Sequence, residues 1–206
     1  MDQSRYARQR VFAKIGTQGQ EKLLASKAAV IGTGALGTVI ANNLCRAGIG
    51  YLRLVDRDYV ELSNLQRQCL FDEEDARREI PKAIAACEHL TRVNSEISLE
   101  PVVADVNSSN IEQLCAGVDI ILDGSDNLEL RYLLNEYCSK TRLPWIQGSA
   151  LGSSGTSMNI IPGKSPCFTT GSYTLASAAR LFRIISNSWS VGLSRISSTF
   201  SLYASP

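Results

Sequence analysis

An α/β fold is expected, a doubly wound, mostly parallel sheet with helices on both faces. Three observations predict it. Apolar runs of strand length alternate with helical periodicities from residue 28 onward. The turn Gly32-Thr33-Gly34-Ala35-Leu36-Gly37 stands between the first strand and the first helix of that series. Asp56 closes the next strand about 20 residues on, where a Rossmann-like unit places a carboxylate for ribose hydroxyls.

Residues 1–27 read as a polar, helical lead-in. The run 28–31 is a short buried strand entering the glycine turn. Leu36, Val39, Ile40 and Leu44 then fall at close to helical spacing, and Gly48 and Gly50 stop that helix. A second strand over 51–56 completes a βαβ unit. Pro81 suits the first turn of a helix running to about residue 92. A strand follows at 99–103, a helical piece at 111–115 and a buried strand at 118–122. A helix at 128–139 and strands from 144 and over 156–161 complete the series. The expected division is a lead-in 1–27, a Rossmann-like nucleotide-binding domain 28–166 and a tail 167–206. In the tail the pattern lapses. No Asp or Glu occurs after Glu136, and serine is frequent from Ser165 on.

Composition bounds the function. The 206 residues suffice for one domain with a full core, and a net charge of +1 gives no global attraction to nucleic acid or a membrane surface. No apolar run reaches the ~18–20 residues of a membrane span. The N-terminus is polar and basic, unlike a signal peptide. Six cysteines are spread without a CxxC pair, as expected of small core residues in a reducing cytoplasm. The single histidine, His89, reads as a surface or boundary residue, and its solitude removes HExxH zinc chemistry and weighs against a Ser-His-Asp triad. Gly163-Lys164-Ser165 looks like the end of a P-loop. Met158 stands where the earlier glycine belongs, however, and Pro166 where a helix should run.

Gly32, Gly34 and Gly37 permit a tight turn and close approach of backbone to phosphate or sugar, and the helix N-terminus adds N–H donors. Taken alone, this fingerprint favours a NAD-dependent oxidoreductase. The polar loop from Asp58 to Gln68 argues otherwise, with Arg67 expected to be buried in it. Ligands in open α/β sheets bind beyond the carboxyl ends of the strands. Asp56, Asn64, Arg67 and Asp126 should therefore converge on one crevice, with Lys82 at the start of the next helix. Cations plus a lone carboxylate suit a triphosphate with Mg²⁺ better than a nicotinamide.

These pieces together resemble the MoeB/ThiF/HesA family, the bacterial relatives of ubiquitin-activating enzymes. The matching residues are Arg5-Tyr6-x-Arg8-Gln9, the glycine turn, Asp56-x-Asp58, Leu62-Ser63-Asn64-Leu65-Gln66-Arg67-Gln68, Pro81-Lys82 and Ser125-Asp126-Asn127. They stand in family order from about residue 4 to 167. The resemblance implies an ATP-dependent adenylyltransferase that activates the C-terminal glycine carboxylate of a ubiquitin-like sulfur-carrier protein, in molybdopterin- or thiamine-type cofactor sulfuration. By the same resemblance Asp56 holds the ribose, while Asn64, Arg67 and Lys82 contact the triphosphate. Asp126 holds Mg²⁺. Asp58, Gln68 and Asn127 belong to the nucleotide site, and Arg8 reaches a partner subunit's ATP in a homodimer. The chemistry fits the residue set. A C-terminal carboxyl, with a pKa near ~3.5, is already ionised at neutral pH and needs no general base.

The chain departs from the family after about Phe168. Many members hold a structural zinc with two CxxC pairs. Cys167 matches the first cysteine, but Thr170 stands where its partner belongs, so that zinc is not expected. The tail reads as a degenerate ending or as a truncated or out-of-frame one, and the abrupt loss of pattern favours the second. The alternative function is a catalytically impaired homodimer that binds ATP or a ubiquitin-like partner.

Overall fold

The computed structural model describes residues 5–151 and 153–170. In chain order the elements are α1 (Ala7–Arg10), α2 (Gly16–Ala25), β1 (Lys27–Ile31), α3 (Ala35–Ala47), β2 (Tyr51–Asp56), α4 (Glu73–Arg77) and α5 (Lys82–Val93). Then come β3 (Ser98–Val103), α6 (Ile111–Leu114), β4 (Ile120–Asp123), α7 (Leu128–Thr141), β5 (Trp145–Leu151) and β6 (Ser154–Ile160). A 3-10 turn at Leu62–Asn64 lies between β2 and α4.

Strand alternation builds two apolar cores, because successive side chains point to opposite faces. Ala28 and Val30 of β1, with Leu52 and Leu54 of β2, face Ala41 and Cys45 of α3 and Ala86 and Leu90 of α5. Ala29 and Ile31 of β1, with Val55 and Ile121, face Ile111 and Leu114 of α6 and Leu134 and Cys138 of α7. The inner strands are covered on both sides, which is why they read as unbroken apolar runs. Each such Leu or Ile contributes about 1.5–3 kcal/mol by leaving water.

The sheet order is β3-β2-β1-β4-β5-β6. The first five strands are parallel and β6 is antiparallel to β5. The winding reverses between β1 and β4, which opens a crevice beyond their carboxyl ends. The doubly wound α/β fold with helices on both faces is thus as the sequence predicts.

Local boundaries differ for physical reasons. The helical lead-in comprises α1 and α2 among the described residues. Pro81 precedes α5 instead of opening it: its backbone is extended, with ψ of 133°, and its carbonyl accepts from Ile84 and Ala85 N–H. The strand expected from 118 begins at Ile120. Helix α4 escapes a periodicity search because it is a single turn. A capping box makes it, with Asp72 accepting from the Asp75 N–H and Asp75 accepting from the Asp72 N–H. The same Asp75 carboxylate lies 2.7 Å from Nε2 of half-buried His89 on α5, so the lone histidine ties α4 down at the boundary the sequence expects.

Helix α3 ends at Gly48, whose φ of 82° is left-handed. A side chain there would strike the Tyr6 ring at 2.6 Å. Tyr6 is buried, its hydroxyl accepts from Asn94 Nδ2, and Gln9 bonds the Ala47 carbonyl. Helix α1 is thereby pinned at the amino end of the sheet. The crevice lies at the other end of α3, about 20 Å away at 1.5 Å per residue.

Of the cysteines, Cys45, Cys87, Cys115 and Cys138 are buried, and Cys69 is exposed. Burial pushes the Cys87 and Cys138 thiols up to about 12 and Cys115 to about 11, which makes them packing residues. Phe168, just past the expected boundary at 166, packs in the second core against Trp145 and Tyr132. The remainder of the expected tail, 171–206, lies outside the described residues. Among the described residues no helix is long and apolar enough to cross a membrane.

Candidate functional site

The crevice at the β1/β4 switch has a volume of about 1120 Å³. Its floor is the glycine turn. Gly32 has φ of 84°, and a Cβ there would sit 3.0 Å from the Ser125 N. A Cβ on Gly37 would fall 1.8 Å from the Gly32 carbonyl, and one on Gly124 would fall 2.7 Å from Gly37 Cα. Three glycines thus let α3 start against the ends of β1 and β4. Gly34 is different. A Cβ there would meet only Gln68 Nε2, at 3.9 Å, so Gly34 keeps space open on the crevice side. Gly37 does not line the crevice itself, and its place against the Gly32 carbonyl is one of packing. Helix α3 starts without a side-chain cap or an acid in its first turn, which leaves N–H donors for an anion.

The predicted polar residues gather on this floor. Asp56, Asp58, Asn64, Arg67, Gln68, Lys82, Asp126 and Asn127 line the crevice with Gly32 and Gly34. One oxygen of Asp56 accepts from the Thr33 N–H at 2.6 Å and the Thr33 hydroxyl at 3.0 Å, and the other from the Asp58 N–H at 2.8 Å. A carboxylate has about four lone-pair sites, so capacity remains for a ligand hydroxyl. Lys82 is buried in the first turn of α5, where a cation opposes the helix dipole. Its Nζ donates to Asp58 at 3.0 Å, which makes Asp58 the holder of the lysine. Asn127 spends its side-chain oxygen capping α7, on the Glu129 and Leu130 N–H groups.

Two buried groups point to something missing. Asn64 Oδ1 and Gln68 Oε1 have no hydrogen-bond partner among the described residues, although both side chains are more than nine-tenths buried. An unpaired buried polar atom costs about 1–3 kcal/mol, so these carboxamides fit a site completed by a ligand.

Arg67 corrects an expectation. It is exposed rather than buried, and its Nη1 donates to the Ser63 carbonyl at 3.1 Å. The loop wraps Asn64 and Gln68 inward, one helical turn apart, which turns the intervening arginine out toward the crevice mouth. Arg8 is exposed on α1 and does not line the crevice of its own chain.

Comparisons with known proteins place the chain in a family. A model of the ThiF family matches residues 6–185. The chain belongs to the ThiF family. It is 45% identical over 163 residues to the sulfur carrier protein ThiS adenylyltransferase of Bacillus subtilis, covering 79% of this chain and 48% of that protein. It is 38% identical over 154 residues to the molybdopterin-synthase adenylyltransferase of Haemophilus influenzae, covering 75% and 63%. The crystal structure of E. coli MccB with ATP superposes with a TM-score of 0.73 at 26% identity, covering 92% of this chain and 57% of that one. The chain therefore spans roughly half to just under two thirds of the length of these relatives.

In this ThiF-family chain several residues that brace the crevice are not legible in the sequence. Thr33, which holds Asp56, is wholly buried. Arg57 pairs with Asp105 at 3.1 Å across the ends of β2 and β3. Asp123 is also wholly buried and accepts from the Ser125 N–H, the Ser125 hydroxyl and Arg131 Nε. Desolvation pushes its carboxyl above the usual range, against the pull of those hydrogen bonds and of the Arg131 charge. Helical spacing gives no hint of Arg131, since an arginine on α7 reads as solvated until its neighbours are known.

Proposed function

We propose that this chain is the nucleotide-binding part of an ATP-dependent adenylyltransferase. Its substrate is the C-terminal carboxylate of a ubiquitin-like sulfur carrier, of the thiamine or molybdopterin type, in the cytoplasm. The observation that carries the reading is the crevice wall itself. Asp56, buried Lys82, Arg67, Asp126 and two unpaired carboxamides face one space at the topological switch point.

Each residue has a task in that reading. Asp56 orients the ribose. The free N–H groups of α3, with Lys82 and Arg67, hold phosphate oxygens, each charge-assisted bond contributing about 1.5–3 kcal/mol. Asn64 and Gln68 gain the partners they lack. The donor set fits Mg²⁺ at Asp126, an exposed carboxylate among cations, and the ion would offset charge building on the phosphates. The carrier carboxylate attacks the α-phosphorus, a C–O–P bond forms, and pyrophosphate leaves with the electron pair of the broken P–O bond. No proton moves, so no histidine or activated nucleophile is required. Catalysis is positioning and charge neutralisation. Arg8 stands at the far end of α3 from its own crevice and would serve the partner's in a homodimer. The nicotinamide end of a dinucleotide needs little charge, whereas Arg67 makes no ion pair among the described residues and suits a further phosphate, which disfavours the oxidoreductase alternative.

The test is calorimetric titration of the purified chain with ATP·Mg²⁺ and, in parallel, with NADH, followed by ATP–pyrophosphate exchange in the presence of a ThiS-type carrier. ATP binding that weakens in Arg67→Ala, with carrier-dependent exchange, is expected. ATP binding without exchange would leave a binding homodimer, and tighter NADH binding would overturn the reading.

A further inference from the structure

Asp126 is exposed, and its carboxylate makes no hydrogen bond or ion pair among the described residues. Something must nonetheless fix its backbone if that carboxylate is to face the phosphates. Both neighbours are held. Asn127 is locked as the cap of α7. Ser125 is held from below by Asp123, through its N–H at 2.9 Å and its hydroxyl at 2.6 Å. From above, Arg131 Nη2 donates to the Ser125 carbonyl at 2.5 Å. That guanidinium also donates through Nε to Asp123 at 3.0 Å and through Nη2 to the Gly148 carbonyl of β5 at 3.2 Å. One side chain therefore ties the end of β4, the turn bearing Asp126 and the next strand.

The register of β5 gives the third tie its meaning. β5 pairs with β4 only through Trp145, Ile146 and Gln147. From Gly148 on it has left β4 and pairs with β6 alone, and Ser149, Ala150 and Leu151 border the crevice. Arg131 bonds the first residue past that departure.

We infer that Arg131, seated on Asp123, is a positioning residue that sets the Asp126 carboxylate against the nucleotide phosphates and fixes the overhanging β5 ribbon to the same point. The inference rests on the nucleotide reading of the crevice for what Asp126 faces, but not for the clamp itself. A buried ion pair adds little net stability compared with apolar packing of the same volume. Here the fork serves geometry, because a planar guanidinium reaches the Asp123 carboxylate, the Ser125 carbonyl of the turn and the Gly148 carbonyl of β5 at once.

Two measurements on the full chain test this. In the first, ATP is titrated with EDTA and then with Mg²⁺. Wild type should bind ATP more tightly with the metal. Arg131→Lys should keep metal-free ATP binding within about twofold while losing about 10–100-fold of the metal-dependent part, as outer-shell changes at metal sites do. Asp123→Asn, which leaves Ser125 its acceptor, should err in the same direction and covers the case in which Arg131→Lys melts early. Full metal enhancement in both variants, or an equal loss with and without metal, overturns the inference. In the second, amide hydrogen exchange over 124–127 is followed in the ligand-free chain. Faster exchange in Arg131→Lys is expected, and unchanged exchange overturns the clamp whatever the nucleotide result. Absence of any metal effect in wild type, with faster exchange in the variant, would overturn the nucleotide reading alone.

Discussion

The two walls of the crevice are built differently. On the β2 side the charged groups are supported by near neighbours and by one helix start. Asp56 is held by Thr33 and Asp58, and Asp58 in turn holds Lys82. The cation there is buried and its partner is exposed, so the wall presents a preorganised positive charge. On the β4 side the relation is inverted. The carboxylate that faces the crevice is exposed, and the ion pair that holds its turn joins wholly buried Asp123 to Arg131, whose side chain is 12% exposed at the crevice edge. One wall presents its charge directly, and the other holds a charge in place through a second layer. Substitution should therefore separate function from stability on the two walls in opposite ways.

The sharpest test of that contrast is Asp126→Asn. Exchange should fall at least about 100-fold, as when a transition-state contact is removed. Thermal stability should hold within about 0.5 kcal/mol, since the side chain is exposed. A large loss of melting temperature would show that Asp126 is structural. Next comes Lys82→Ala. Titration should show ATP binding weakened about 10–100-fold, the value of a charge-assisted contact. The fold should survive, because the abandoned Asp58 side chain is 57% exposed and can rehydrate. An insoluble Lys82→Ala would mean that the pair holds the loop rather than the ligand.

The floor gives a finer comparison. Gly37→Ala should destabilise by about 1–3 kcal/mol or more, since its Cβ would overlap the Gly32 carbonyl at 1.8 Å. Gly34→Ala has no such clash and should keep the melting temperature while weakening ATP binding. Equal melting temperatures for the two would contradict the packing role given to Gly37. The smallest effect is expected far from either wall. The Asp75 and Glu74 N–H groups hold the Asp72 carboxyl below the usual range. Its folded pKa is depressed, so its contribution is complete above the unfolded value of 3.8 and is lost as pH falls through the folded value. Chemical denaturation of Asp72→Ala should show a deficit at neutral pH that closes below that value. A pH-independent deficit would remove the cap from the account.

Legibility in the sequence followed how local each device is. The glycine turn, Asp56, the loop from Asn64 to Gln68 and Lys82 are contiguous patterns, and their convergence followed from strand ends in an α/β sheet. The exposure of Arg67 was not legible, because it depends on the loop winding Asn64 and Gln68 inward around one turn. Nor was the division of labour among the glycines. Gly34 and Gly37 look alike on paper, and only the approach of the Gly32 carbonyl tells packing from ligand space. The capping box of α4 is written as Asp72-x-x-Asp75, but five residues carry too little apolar periodicity to mark a helix.

By itself the sequence determined the layered α/β class, the place of the crevice and most of the groups that face it. Strand alternation, helical spacing and glycine at a forced turn are local constraints, and they act within a few residues. Tertiary structure alone decided which charges are paired and which are free. Asp58 takes Lys82 across 24 residues, and Arg131 joins Asp123 to Gly148 across two strands. Such pairings depend on distances and on local dielectric, which exist only after the chain has closed on itself.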